Sequence, residues 1–334
     1  MHAVNRTETQ RTVPEPLPDY IIVSPVKDEG AHLARTAESL IAQTHPPLEW
    51  TIVNDGSSDD TGAIADAYAE RFDWIRVVHR APQPGRVRGA PIVHAFNAGM
   101  DGARTDGEFV VKLDGDLYLP AHYFEWVATA FRDEPRTGIA GGSVITDYKT
   151  AWSLDRIGPD TVPGCAKAYR RACLTEIGGL QPSMGWDGID EFAARARGWD
   201  VRPIGELQML HYTMRGAKQS WRHARWEEGR GNHFMGYRWS FMAIRVAYRM
   251  LFEYPPLVGG LVMGAGFAWH RITRAPQVPD PLAIRQVRRE QRDRMLRMLR
   301  LRKRQQARPT SGGPAYRATV GPTGVESTVL SQRD

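Results

Sequence analysis

Asp114 and Asp116 interrupt a stretch that otherwise belongs inside a sheet, "EFVVKLDGDLYLP" at residues 108–120. Phe109, Val110, Val111 and Leu113 suit a buried strand. Side chains two apart share a face while a strand persists, and two carboxylates on one face repel and raise each other's pKa unless positive charge intervenes. Mg²⁺ or Mn²⁺ would supply it, since these cations take carboxylate oxygens and share their shell with phosphates. The plainer reading is a turn and cap ahead of a helix opening at Pro120.

Two further stretches carry chemistry. In "TIVNDGSSDDT", residues 51–61, a strand ends at Asp55, Gly56 permits a tight turn, and Ser57 or Ser58 suits a helix cap. An ionised Asp at a strand end accepts hydrogen bonds from a pyrimidine imide or from ribose hydroxyls. In "GWDGIDEFAARARGWDVRPIGELQMLHYTMRG", residues 185–216, Asp187 and Asp190 have capping-box spacing, and Glu191 with Arg195 is an i,i+4 ion pair. A carboxylate at a helix start stays ionised and so can serve as a base. His211 follows the strand "VRPIGEL", with Arg215 just beyond it. Arg86 and Arg88 in "GRVRG" suit diphosphate contacts or a solvated loop equally.

Short β-branched runs must position these residues. "YIIVSPV", "WTIVND", "WIRVVHR" and "EFVVKLD" read as strands, separated by the helical stretches "AHLARTAESLIAQ", "SDDTGAIADAYAERF" and "GAPIVHAFNAGMDGA". Such alternation predicts a parallel sheet covered on both faces, with ligands outside the carboxyl ends of the strands. Asp55 and the Asp114/Asp116 pair both fall at such ends.

The bulk composition sets limits. Cys165 and Cys173 are the only cysteines, which implies no disulfide framework and a reducing compartment. Residues 1–19 hold no apolar run of the signal-peptide kind and read as an extended lead-in. Ten Arg and Lys303 against Glu290 and Asp293 put +9 on residues 281–308, so a chain of net charge +6 carries −3 elsewhere. Basicity belongs to the tail, and no nucleic acid is expected as a partner. "YRWSFMAIRVAYRMLFEY" is apolar around most of a helix, with Arg238, Arg245 and Arg249 on one face. The run "LVGGLVMGAGFAW" is too short to span a bilayer, which takes about 20 residues, although "GLVMG" has the small-residue spacing of helix contacts. Together with the basic helix these segments suggest interfacial association with anionic headgroups, with packing on protein as the alternative. Residues 309–334 read as a disordered end.

Taken in order, the motifs resemble the family-two inverting nucleotide-sugar glycosyltransferases with the GT-A fold, over roughly residues 20–215. Pro25, Asp28 and Glu29 stand where that family ends its first strand, and Asn54, Asp55, Gly56 and Ser57 where it has Asp-Asp-Gly-Ser. Asp114 and Asp116 match its Asp-x-Asp. Asp187, with Gly198 eleven residues on and His211 beyond, matches its later register, although Trp186 replaces a family Glu. Gly164, Arg170, Gly178 and Gly179 match its acceptor-side segment loosely.

The resemblance implies an α/β fold of GT-A type: a mostly parallel sheet flanked by helices, with a Rossmann-like nucleotide-binding half, over a catalytic domain at 20–215. Composition and pattern add a disordered lead-in at 1–19, a helical, membrane-associated region at 216–308 and a disordered tail at 309–334. Pro25, Val26, Glu29, Asp55 and Asp114 would hold the nucleotide. Asp116, Asp114 and His211 would hold Mn²⁺ or Mg²⁺, and Arg215 and Arg88 would meet the diphosphate. Asp187 would be the catalytic base, with Asp190 its rival.

The donor would be a nucleoside-diphosphate sugar, a UDP-sugar first among them. The acceptor would be a carbohydrate or lipid-linked sugar in bacterial polysaccharide or glycolipid assembly. The expected location is cytoplasmic, peripheral on the inner face of the cell membrane. Two alternatives stand beside this. A nucleotidyltransferase shares the topology but carries an early Gly-rich phosphate loop where this chain has "SPVKDEG". A non-catalytic nucleic-acid binder would use the Arg-rich helix.

Overall fold

The expected alternation of strand and helix is present from Tyr20 to Leu113. The computed structural model describes residues 15–81, 89–147, 152–155, 158–212, 220–253, 255–299, 315–321 and 324–330. β1 (Tyr20–Val26), β2 (Glu49–Asn54), β3 (Ile75–His79) and β4 (Phe109–Leu113) alternate with α1 (Leu33–Ile41), α2 (Thr61–Arg71) and α3 (Ala90–Asp101). The strands lie in the order β3-β2-β1-β4, all parallel. Helices cover both faces, so β2 and β4 are buried throughout and β1 at all but one residue. Tyr20, Trp50, Phe109 and Phe124 fill the core on one face, and Phe96, Val110, Tyr169 and Trp186 on the other.

Beyond β4 the strand directions change. β5 (Leu117–Tyr118), α4 (Tyr123–Asp133), β6 (Thr137–Asp147), β7 (Trp152–Leu154), β8 (Ala166–Arg170), α5 (Arg171–Glu176), α6 (Trp186–Ala196) and β9 (Asp200–His211) follow in turn. β8 runs antiparallel between β4 and β6, β9 is parallel to β6, and β5 and β7 are antiparallel to their neighbours. The nine-stranded sheet is therefore mixed, not mostly parallel as its first half suggests. A parallel return needs a crossover, usually a helix. Between β6 and β8 the described residues hold only β7, so β8 comes back antiparallel.

The C-terminal helices are α7 (Trp221–Phe234), α8 (Trp239–Phe252), α9 (Val258–Ile272) and α10 (Pro281–Leu299). Glycines let three of them approach closely. A Cβ at Gly229 of α7 would run into the Met263 carbonyl of α9, and one at Gly266 would lie 2.5 Å from the Trp226 carbonyl oxygen. Gly260 and Gly264, the small residues of "GLVMG", receive Val246 and Met250 of α8.

Two expectations change here. Arg245 and Arg249 do not face outward as a stripe: both pair with Glu228 of α7, at 2.9 and 2.6 Å. The Arg-rich α10 docks on α6, burying Ala283 and Val287 in the core that α6 shares. Arg195–Glu290 and Arg197–Asp280 ion pairs, 2.9 and 2.8 Å, flank that contact. A packing unit thus continues past residue 215, because Ala283 and Val287 share one face of a helix that is otherwise basic.

At the end of the chain the backbone of Ala315–Gly321 and Gly324–Leu330 pairs as an antiparallel ribbon where composition suggested no structure. Among the described residues no helix is long and apolar enough to cross a membrane.

Gly229→Ala should force α7 and α9 apart and cost about 1–3 kcal/mol, the usual penalty of overpacking. At Gly188 the nearest atom to an added Cβ is Met235 Sδ at 3.7 Å. Gly188→Ala should therefore be neutral or stabilise by up to about 1 kcal/mol. Urea unfolding midpoints of the two variants check both outcomes.

Candidate active site

Because β1 pairs in register with both β2 and β4, three strands end side by side. Their carboxyl ends open into a cleft of about 450 Å³. Pro25 and Val26 at the end of β1, Glu29 after it, Asp55 after β2, and Asp114 and Asp116 after β4 line it, closed on one side by Pro91, Ile92 and Ala95 of α3. The volume lies in the range of small-molecule sites. All five residues expected at a nucleotide are thus brought together.

The loops after β1 and β2 hold each other. Asp28 adopts φ +54°, a conformation that Asp tolerates better than most residues. Its N–H donates to Ser57 Oγ at 3.0 Å, while its carboxylate accepts from the Ser58 N–H at 2.8 Å. The Glu29 N–H donates to Thr61 Oγ1 at 2.8 Å, and Asn54 Oδ1 accepts from the Ser57 N–H at 3.0 Å. The serines therefore tie two loops together; α2 is preceded by Asp60 and has no side-chain cap. Asp55 is 5% exposed, and its carboxylate accepts from Arg80 Nη1 at 2.9 Å. Arg80, at the end of β3, fixes the direction in which that carboxylate points.

The Asp-x-Asp pair meets an imidazole on one side and an ammonium on the other. β5 pairs Leu117 with His211 of β9, which carries the imidazole to the turn. His211 Nε2 lies 3.1 Å from Asp116 Oδ2. Asp114 instead meets the ammonium of Lys112, two residues back on the same face. Burial and the neighbouring Asp116 push the Asp114 carboxyl above its ordinary pKa, with Lys112 pulling it down between them. One ligand atom from each of Asp114, Asp116 and His211 falls within 4.8 Å of the others. Two carboxylates and an imidazole fit a divalent cation.

Asp187 and Asp190 separate. Asp187, in the first turn of α6, is half-buried and lies against Gly164, where an added Cβ would come within 2.9 Å of its Oδ2. The same loop bridges to the cleft: the Gly164 carbonyl accepts from Lys112 Nζ at 3.0 Å, and the Cys165 carbonyl from the Asp114 N–H at 2.7 Å. Asp190 turns inward, 2% exposed. Tyr169 donates to it at 2.5 Å, and Lys167 Nζ lies 3.1 Å from it and 3.0 Å from Glu191. Neither Asp is the helix cap that their spacing suggests, since Gly185 precedes α6 and no side chain caps it. Burial alone would lower the Lys167 pKa, but Asp190 and Glu191 outweigh it and hold it at about 12.

Lys112 and Lys167 stand directly opposite each other on β4 and β8, both essentially buried. Neither was anticipated as a site residue. Their signal is a lysine set between apolar residues of a strand, in "FVVKL" and in "AKAYR". Trp186 places its ring 5.2 Å from the Lys112 ammonium. The position where the family carries an acid thus offers Lys112 an aromatic face. Arg88 and Arg215 lie outside the described residues.

Residues 21–177 match the family model of glycosyl transferase family 2. This segment is a family 2 glycosyl transferase domain. The uncharacterized glycosyltransferase EpsJ of Bacillus subtilis is 32% identical over 109 residues, 33% of this chain and 29% of that protein. The probable glycosyltransferase YdaM of the same organism is 24% identical over 188 residues, 49% of this chain and 43% of that protein. The chain spans less than half the length of these relatives. In three dimensions a mannosyltransferase of Pyrobaculum calidifontis, solved in complex with GDP-Man and Mn²⁺, superposes with a TM-score of 0.52. It is 18% identical, with 85% of this chain and 82% of that chain covered, which shows a shared GT-A-like fold.

The match takes in the cleft residues from Pro25 to Asp116 but ends before Asp187 and His211. Those two join the glycosyltransferase domain through α6 and through the β5–β9 pairing.

Lys167→Met should leave Asp190 and Glu191 buried without their ammonium and cost about 3–5 kcal/mol by chemical unfolding. The folded pKa of about 12 lies above the ordinary 10.5. The lysine's contribution is therefore complete below pH 10.5 and is lost as pH rises towards 12. Stability of the wild type should fall across that window, and that of Lys167→Met less steeply.

Proposed function

We propose that the chain is a metal-dependent, inverting glycosyltransferase that moves a sugar from a nucleoside-diphosphate sugar to an acceptor hydroxyl. The observation that carries this reading is the Asp114, Asp116 and His211 cluster, whose two carboxylates line a cleft that also presents Glu29 and Asp55. Asp55, aimed by Arg80, accepts from the base or ribose, and the backbone from Pro25 to Glu29 walls the nucleoside. A divalent cation held by Asp114, Asp116 and His211 would neutralise charge growing on the diphosphate leaving group.

Asp187 takes the proton from the attacking hydroxyl. It is the carboxylate at the start of α6 that Lys167 does not sequester: that ammonium reaches its backbone carbonyl, at 2.5 Å. Direct attack of the hydroxyl from the face opposite the diphosphate inverts the anomeric centre without a covalent intermediate. A UDP-sugar is the first donor to test, and a carbohydrate or lipid-linked sugar of bacterial polysaccharide or glycolipid assembly the acceptor class.

Two measurements test the reading. Nucleoside diphosphate release from UDP-, GDP- and dTDP-sugars should appear with one donor, vanish in EDTA and return with Mn²⁺. Asp116→Asn should abolish it. Asp187→Asn should lower transfer by about 10²–10⁴-fold, the contribution of a positioned base, while nucleoside diphosphate affinity persists. Asp116→Asn with full activity in EDTA, or release of pyrophosphate, would overturn the proposal.

A further inference from the structure

Away from the nucleotide cleft, a second cavity of about 460 Å³ lies where the start of α8 meets α9 and α10. Tyr237, Arg238, Trp239, Ser240, Arg271 and Arg288 line it. Three are guanidinium groups and none is acidic. Several neighbouring arginines do meet acids: Arg225, Arg245 and Arg249 converge on Glu228, and Arg195 and Arg197 at the end of α6 pair with Glu290 and Asp280. Among the described residues, no carboxylate comes within ion-pair distance of the three at the cavity. Arg288 is steadied by donating to the Gly236 carbonyl at 3.1 Å, and the Arg238 N–H donates to Gln291 Oε1 at 3.0 Å. Three like charges around one cavity repel, and an anion with several oxygens removes that cost.

The rim of this cavity is apolar and exposed. Trp239 is 50% exposed and packs edge-on against Phe267 of α9. Along α9, Val258, Leu261, Trp269 and Ile272 stand 48–73% exposed at spacings of three, eight and three, which puts them on one face. That face is turned away from both α7, which packs at Gly266, and α8, which packs at Gly260. On α8, Ile244, Tyr248 and Leu251 are exposed as well. Exposed apolar side chains gathered along one helix face mark an interaction site. Neither helix is long enough to cross a bilayer.

We infer that the Arg238–Arg271–Arg288 cavity binds the phosphate of an anionic membrane lipid, while the outer faces of α8 and α9 lie in the headgroup–acyl boundary. Guanidinium forks match phosphate oxygens, Trp239 and Trp269 suit the interfacial layer, and the aliphatic stripe buries beside the acyl chains. The ligand is therefore amphiphilic, with an anionic head for the cavity and hydrocarbon for the stripe. The basic groups that meet the lipid are these three, not the Arg245/Arg249 pair, which Glu228 holds inside.

Flotation of the full chain with vesicles tests this. The protein should bind phosphatidylcholine vesicles containing phosphatidylglycerol and bind phosphatidylcholine alone far more weakly. Replacing Arg238, Arg271 and Arg288 together by Gln should lower the partition coefficient about a hundredfold, at about fivefold per arginine. The same change at Arg285, Arg289 and Arg294, exposed on α10 outside the cavity, should cost much less. Leu261→Glu with Trp269→Glu should abolish binding, and unfolding midpoints close to wild type would show that the variants fold.

Equal loss from both arginine triples would mean diffuse attraction and overturn the site. Full displacement by inorganic phosphate would reassign the cavity to a soluble phosphate ester. Concentration-dependent self-association without vesicle binding would give the apolar face to a second copy of the chain. Each of these outcomes is independent of sugar transfer, which the donor assay reads separately.

Discussion

Lys112 and Lys167 face each other across β4 and β8, two ammonium groups removed from water in the middle of a sheet. Burying a charge costs several kcal/mol unless partners surround it, and the partners recruited here are the parts of the site. Lys112 draws in Asp114 and the Gly164 carbonyl, while Lys167 draws in Asp190, Glu191 and the Asp187 carbonyl. One ammonium thus ties the Asp-x-Asp turn to the loop before β8, and the other ties the start of α6 to the strand beside it. Strand direction is part of this arrangement, because only an antiparallel β8 brings its own lysine opposite that of β4 and the loop before it to the cleft end.

The side of the cleft formed by the loops after β1 and β2 rests on a different device. Two loops that follow parallel strands have no ladder to hold them, so side chains take over. Ser57, Ser58 and Thr61 bind Asp28 and Glu29 across the gap, and Arg80 reaches back from the end of β3 to Asp55. Cross-links of this kind fix the cleft walls before a ligand arrives, which lowers the ordering cost of binding.

In the C-terminal third, charge decides which faces are inside. Glu228 gathers three arginines into the α7–α8 contact, and Glu290 and Asp280 seat α10 against α6. With those cations paired, apolar side chains are left outward on α8 and α9, and three of the guanidinium groups without an acid, those of Arg238, Arg271 and Arg288, line one cavity. The Arg-rich appearance of the segment is therefore divided between two jobs that spacing alone cannot separate.

The local pattern of the chain determined the first half of the fold. Period-two and period-3.6 hydrophobicity marks β1 to β4 with their helices, and the strand-end positions of Pro25, Glu29, Asp55, Asp114 and Asp116 follow from it. His211 and Asp187 were singled out only by resemblance to the family's later register, since spacing alone reads as a cap and a core histidine. What the sequence left open depends on contacts between distant residues. The direction of β8, the inward turn of Asp190, the lacing by Ser57 and Arg80, the lysine pair and the destination of Arg245 and Arg249 are all of this kind. Hydrophobic period reports which side of an element is buried, and so it is legible one element at a time. The partner that a buried charge finds is set by how elements cross, and only the assembled chain brings Lys167 to Asp190 or Glu228 to Arg249.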